Sequence, residues 1–221
     1  MRVTETAAIP KSPVAQRAPV RIEIDDDATP VVRLLGRTLR DAVRTGHAPE
    51  VLGRGTGTVA VRSHVTPQAA TVTLHGGAVT VTGGVFAPAD ATLVVDLESR
   101  FAPTRDPDGD AELAGGMLRA LRPPLPPWRE AAEHFWDVTR GIRGVPDVLV
   151  AVAREPEGPQ EARFGAGPST YRMVGTPEAL AGVFTGADYL LTSLESGLRV
   201  QGTLSQLSVM TAASWKVRFD V

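Results

Sequence analysis

The stretch "TVTLHGGAVTVTGG", residues 71–84, decides the fold. With Gly76-Gly77 as a two-residue primed turn, His75 faces Ala78, Leu74 faces Val79 and Val72 faces Val81. The same register sets Thr73 opposite Thr80 and Thr71 opposite Thr82. One side of the hairpin is apolar and the other is a ladder of threonines. A slip of one residue mixes the two, so the register is strongly specified. Upstream, "GTVAVRSHV" (residues 57–65) places Val59, Val61 and Val65 on one face; downstream, "ADATLVVDLE" (89–98) adds Leu93, Val95 and Leu97. The expectation is a mainly antiparallel sheet covered on one face by helices, an α+β fold.

The first covering helix is well marked in "DDDATPVVRLLGRTLRDAVRTG" (25–46). Thr29 suits the N-cap and Pro30 the first helical position. Val31, Leu35, Leu39 and Val43 recur every four residues and form an apolar stripe, and Gly46 can close the helix in a left-handed conformation. Ahead of it, "VRIEID" (20–25) reads as an edge strand, and residues 1–19 as a mobile tail without periodicity.

Beyond residue 98 a loop leads to a short helix, "AELAGGMLRAL" (111–121), and a proline stop, "RPPLPP" (122–127). The helix "WREAAEHFWDVTRGI" (128–142) opens what reads as a second half. Strands follow in "DVLVAVA" (147–153), "EARFGA" (161–166) and "TYRMVG" (170–175). Thr176 and Pro177 start another helix, a further turn or two ends at Gly197, and "LRVQGTL" (198–204) is a strand. "SQLSVMTAAS" (205–214) reads as helical, and "WKVRFDV" (215–221) alternates like a strand. Each half runs helix, three strands, short helices. Two related halves, 20–122 and 128–221, are one organisation; a single domain with a long insertion around 99–168 is the other.

Two of these segments resemble the sterol carrier protein type-two superfamily. "TLHGGAVTVTGGVFAPADATLVVDL" is similar to that family's hairpin with a glycine turn leading into a Pro88-Ala89-Asp90-Ala91-Thr92 strand start. "TPEALAGVFTGADYLLTSLESGLRVQGTLSQL" looks like its capped helix, short second helix and Gly197-Leu198-Arg199-Val200-Gln201-Gly202 strand. The resemblance implies a sheet covered by helices with an apolar tunnel between them, and binding of sterols, acyl chains or other lipophiles. It carries over no catalytic residues and no cofactor. The strand-like terminus departs from the family, which closes on a helix.

Composition excludes several other classes. The chain has 221 residues, with 23 Lys and Arg against 25 Asp and Glu, so no basic surface points to nucleic acid. Cysteine is absent, which excludes disulfides and thiolate ligands. The four histidines, 47, 64, 75 and 134, show no helical metal spacing, so no metal is expected. No apolar run approaches the roughly 18 residues of a membrane span, and the start lacks a secretory pattern, so the expected location is cytoplasmic without stable membrane insertion. "GRGTGT" (53–58) precedes a strand, the wrong order for a dinucleotide loop, and "DPDGDAE" (106–112) reads as an acidic turn capping the next helix.

The remaining signal is apolar and concentrated in the second half. Phe135, Trp136, Phe164, Tyr171, Met173 and Phe184 are candidates to line a lipophile cavity between sheet and helices. Tyr189, Leu190, Leu194, Met210 and Trp215 extend that set. The first functional expectation is therefore binding or transfer of a lipophilic small molecule. The alternative is a biosynthetic enzyme of the cyclase or isomerase type that orients an apolar intermediate, with His134, Asp137 and Tyr171 as its polar groups. A third is an interaction module whose apolar helix face pairs with a second copy as a homodimer.

Overall fold

A computed structural model describes residues 19–220; the expected tail over 1–19 lies outside that range apart from Pro19. In chain order the elements are β1 (Arg21–Ile24), α1 (Pro30–Arg44), α2 (Pro49–Arg54), β2 (Thr56–Ser63), β3 (Ala69–His75), β4 (Ala78–Gly83) and β5 (Ala91–Asp96). Two short strands, β6 (Ala102–Pro103) and β7 (Asp108–Gly109), lead to α3 (Ala111–Ala120) and α4 (Trp128–Thr139). Then come β8 (Val148–Glu155), β9 (Gly158–Gly165), β10 (Thr170–Gly175), α5 (Pro177–Phe184), α6 (Leu190–Glu195), β11 (Arg199–Gln201) and α7 (Leu204–Phe219).

The elements form two sheets. The first has the order β1-β4-β3-β2-β5-β6, with β7 also on β5; the second has the order β11-β10-β8-β9. The β3–β4 hairpin has the register its sequence predicts, with Leu74 opposite Val79, Val72 opposite Val81 and Thr73 opposite Thr80. Gly76 and Gly77 take φ of 55° and 99°, the positive values a primed two-residue turn requires.

Both sheets are mixed, with parallel pairs beside the antiparallel ones that the sequence leads one to expect. β5 crosses over to run parallel beside β2, β1 runs parallel to β4, and β10 runs parallel to β8. Alternation reports which face a side chain takes and carries no information on strand direction, so the crossovers are invisible to it. Each main crossover is fastened by the same polar clip. The Asp90 carboxylate, just before β5, accepts from the amide and hydroxyl of Thr58 on β2 at 2.7 and 2.9 Å. The Asp147 carboxylate, just before β8, accepts from the amide and hydroxyl of Ser169, just before β10, at 3.0 and 2.8 Å. These bonds hold both carboxyls below the usual range. The halves therefore share a plan: a helix, a strand, its antiparallel partner, and a later strand returning parallel on the first strand's other side.

Each sheet buries one face under helices. Val31, Leu35 and Leu39 of α1, with Leu52 of α2 and Met117 of α3, share a core with Val72, Val81, Leu93 and Val95. In the second half Phe135 of α4 meets Phe184 of α5 with ring centroids 5.3 Å apart, above Leu149, Tyr171 and Met173. The chain end is a correction to the sequence expectation. Trp215 to Phe219, read as a strand, continue α7. That helix starts at a capping box in which the Thr203 side chain and Gln206 each satisfy the other's backbone amide, and no Gly or Pro interrupts it before Asp220. Among the described residues no helix is long and apolar enough to cross a membrane.

The two sheets are joined through arginines. Arg218 of α7, 5% exposed, donates to the carbonyls of Gly186 and Ala187 at 2.8 and 3.1 Å and to that of Leu97 in the first half. Burial pulls its guanidinium down to about 10. Replacing Arg218 by Met keeps most of the volume but strands three carbonyls; a loss of about 3 kcal/mol is expected in urea unfolding, and an unchanged midpoint would show that the latch contributes nothing.

Candidate functional site

The seam between the halves leaves a cleft of about 470 Å³. One side is the polar face of α1, with Arg37, Thr38, Asp41 and Arg44; the other is α4, with Glu130, Ala131 and His134. Between them runs residues 121–126, the connection from α3 to α4, with Thr185 and Ala187 at the back. This connection holds Pro123, Pro124 and Pro126. Proline supplies no amide donor and fixes its own φ, so the segment can form a stiff, apolar wall with few backbone groups to satisfy. Leu121, at the start of this segment, and Phe101 are buried beneath it at 1% and 3% exposure.

Two arginines fix the cleft's back. Arg37 is buried, and its Nη1 donates to Asp41 at 2.7 Å and to the Thr185 carbonyl at 2.8 Å. Its Nε has no acceptor among the described residues, and burial lowers the guanidinium's pKa against the opposing pull of Asp41 and Asp220. Arg100 grips Asp188 through Nε at 2.6 Å and through Nη2, and Glu178 through Nη1 at 2.9 Å. Its hydrogen bond to Asp188 raises its pKa. Arg100 and Phe101 both have left-handed backbone, φ 50° and 57°, which for non-glycine residues stores strain that the ion pair and the buried ring hold in place. Arg122, at the other edge, is exposed and enters no ion pair among the described residues.

The sequence candidates fall mostly elsewhere. Of His134, Asp137 and Tyr171, only His134 reaches the cleft. Asp137 is exposed and lies 3.9 Å from Arg140. Tyr171 is enclosed in the second core. Phe135, Met173, Phe184, Leu190 and Met210 fill that core at 2% exposure or less, and Trp136, Phe164 and Leu194 pack on its edge. Tyr189 stacks on Trp215 at 6.3 Å, and Trp215 lines an apolar groove of about 400 Å³ between α6 and α7 with Leu191, Leu204 and Leu207. The cleft residues were passed over because their signals look structural. A proline stop became a wall, and arginines at 37 and 44 on a polar helix face became the site's charge. In the turn at 106–112 Asp110 caps α3 through the amides of Glu112 and Leu113.

No protein-family description, curated protein or solved structure matches this chain.

Tyr171 yields a test that separates packing from chemistry. Its hydroxyl is buried without a partner among the described residues, and burial pushes the phenol up to about 12 from 10. In the unfolded chain the proton leaves first, so this group's contribution to stability is intact below pH 10 and is lost as pH rises from 10 towards 12. Tyr171→Phe should stabilise by about 1 kcal/mol at pH 7, because an unsatisfied buried hydroxyl is removed. It should also flatten the alkaline loss in that window. Thermal unfolding at pH 7 and pH 11 checks both, and a destabilised Phe variant would mean that the hydroxyl has a partner.

Proposed function

We propose that the protein binds a lipophilic small molecule in the cleft between its two sheets. The observation that carries this is an apolar wall of Leu125 and the three prolines beside open volume, backed by the buried Phe101 and Leu121, while the aromatic-rich second core is filled by its own side chains. A volume of about 470 Å³ lies within the range of small-molecule sites. Each methylene removed from water contributes about 0.8 kcal/mol, so a medium-length chain reaches micromolar affinity without an ionic contact. The repeated helix, hairpin and returning parallel strand supports reading the chain as two related sterol-carrier-like halves. In that reading the ligand sits between the halves, not within either one.

The biosynthetic-enzyme alternative is favoured by one observation: His134 lines the cleft with Glu130 one helical turn before it, a pair able to move a proton at an apolar ligand.

Binding of 1-dodecanol, followed by tryptophan fluorescence or calorimetry, tests the site. Leu125→Glu places a charge on the apolar wall and should weaken binding by about tenfold or more. Trp215→Ala, in the α6–α7 groove, should leave it unchanged. The reverse pattern would move the site to that groove.

A further inference from the structure

The two faces of the second sheet differ in content. Leu149, Ala151 and Ala153 of β8 belong to the core shared with α4 and α5. Val148, Val150 and Val152, at the alternate positions, form a separate small cluster with Val174 of β10 that includes no helical residue. The register sets charged residues around these valines. Val150 lies between Arg163 on β9 and Arg172 on β10. Val152 lies between Glu161 and Val174, and Val174 pairs with Arg199 of β11. Cross-strand partners share a face, and Arg154, two positions beyond Val152, shares it too. Arg172 reaches Glu161 at 2.8 Å across the intervening β8, and this bridge spans the valines, which are 4% exposed or less.

Four arginines therefore share this face with one glutamate, and Arg172 occupies that glutamate. Arg163 and Arg199 are exposed and make no hydrogen bond or ion pair among the described residues. Arg154, also exposed, donates only to the Gly197 carbonyl, at 3.0 Å. The neighbouring acids face elsewhere. Glu155 turns to the helix side, where it accepts from the Trp128 indole. Asp147 alternates to that side as well and is held by Ser169. Glu195 ends α6, whose Leu190 and Leu194 pack on the helix-side core. Glu157, in the turn between β8 and β9, borders the face; counting it lowers the excess from three positive charges to two.

We propose that this face docks on a membrane surface rich in anionic lipid headgroups. Charge complementarity carries the proposal, and the size and composition of the patch select the occupant. From Arg163 on β9 to Arg199 on β11 is three strand spacings, about 14 Å, and the rows from Val150 to Arg154 span about 13 Å. A patch of about 200 Å² falls well short of the roughly 800 Å² per partner of a stable protein interface, so it does not hold a second copy or another protein. No aromatic side chain lies on it, so it offers no stacking platform to single-stranded nucleic acid, and a duplex is held by more phosphate contacts than three arginines supply. The chain's own residues 1–18 carry Arg2, Lys11 and Arg17 against Glu5, the wrong sign to cover it. A bilayer sets no minimum contact area: each arginine near an anionic leaflet strengthens partitioning about fivefold, whichever headgroup it meets. The chain's formal charge of −2 does not prevent this, because charges more than about 8 Å from the surface are screened at physiological salt. The valines stay covered, so contact is with headgroups and without insertion. The proposal is independent of the cleft reading.

Sedimentation of the whole chain with vesicles, either phosphatidylcholine alone or with about one-third phosphatidylserine, tests this at low and high salt. The anionic vesicles are expected to bind at least about tenfold more tightly, and high salt should remove the difference. Arg163→Gln combined with Arg199→Gln, both at exposed positions without partners among the described residues, should abolish most of the preference. Arg62→Gln combined with Arg105→Gln removes the same charge from exposed positions in the first half and should leave the preference unchanged. Equal loss in both double variants would show attraction to total charge and overturn the face. Equal binding to both vesicles, or binding to neither, would overturn the membrane surface. A preference that persists at high salt would contradict headgroup docking. Vesicle binding lost in Leu125→Glu would assign the lipid to the cleft instead. Binding of a short DNA duplex, lost in the Arg163 and Arg199 variant and without vesicle binding, would reassign the face to nucleic acid.

Discussion

Four residues, Thr185 to Asp188, accept hydrogen bonds from three arginines, two on helices and one in the loop between β5 and β6. Arg37 of α1 reaches the Thr185 carbonyl, Arg218 of α7 the carbonyls of Gly186 and Ala187, and Arg100 the Asp188 carboxylate. Arg37 and Arg100 come from the first half, whereas the loop itself joins α5 to α6 in the second. Charged donors on buried carbonyls are among the stronger hydrogen bonds a protein makes, and leaving such acceptors unpaired is expensive. The loop's backbone is fitted to this role. A side chain at Gly186 would strike the Arg218 backbone, and one at Gly182 would fall on the Asp188 carboxylate. A flanking bridge between Ser99 and Asp188 and a bond from Thr192 to Glu98 extend the seam.

Polar joints have a packing consequence. Two apolar faces would close on each other and exclude solvent, but guanidinium groups reaching to carbonyls act as spacers of fixed length. The cleft is the volume such spacers leave, roofed by the proline connection that must run from α3 to α4. Its asymmetry follows as well: apolar where the connection passes, charged where Arg37, Asp41 and Arg44 of α1 continue towards α7. Arg37 both lines the cleft and holds the Thr185 carbonyl across the seam, whereas Arg44 lines the cleft and contacts Asp41.

Local structure was well written in the residues. The threonine ladder opposite Val72, Leu74, Val79 and Val81 set the hairpin register, and Pro30 with the stripe from Val31 to Leu39 marked α1. Thr176 caps α5 through the Ala179 amide, while Thr29 holds the N-cap of α1 without a side-chain bond. Strand direction was not legible, because β5 and β10 show the same alternation whether they return beside β4 and β9 or cross over. The end of α7 misled through coincidence: Trp215, Val217 and Phe219 alternate, but the capping box at Thr203 had already committed the segment to a helix. The site was the least legible part. An aromatic in a core and one in a pocket look alike in sequence, and only the contacts show Phe135 and Tyr171 to be packed while the plain residues 122–126 line the cleft.

Amide hydrogen exchange with and without 1-dodecanol tests most directly whether the ligand site is the seam. Binding there should slow exchange at Leu121, Arg122, Leu125, the first turns of α4 and residues 185–187, and leave the β8 and β10 amides unchanged. Protection confined to β8, β10 and α5, with the proline connection unaffected, would put the ligand inside the second half and contradict the account.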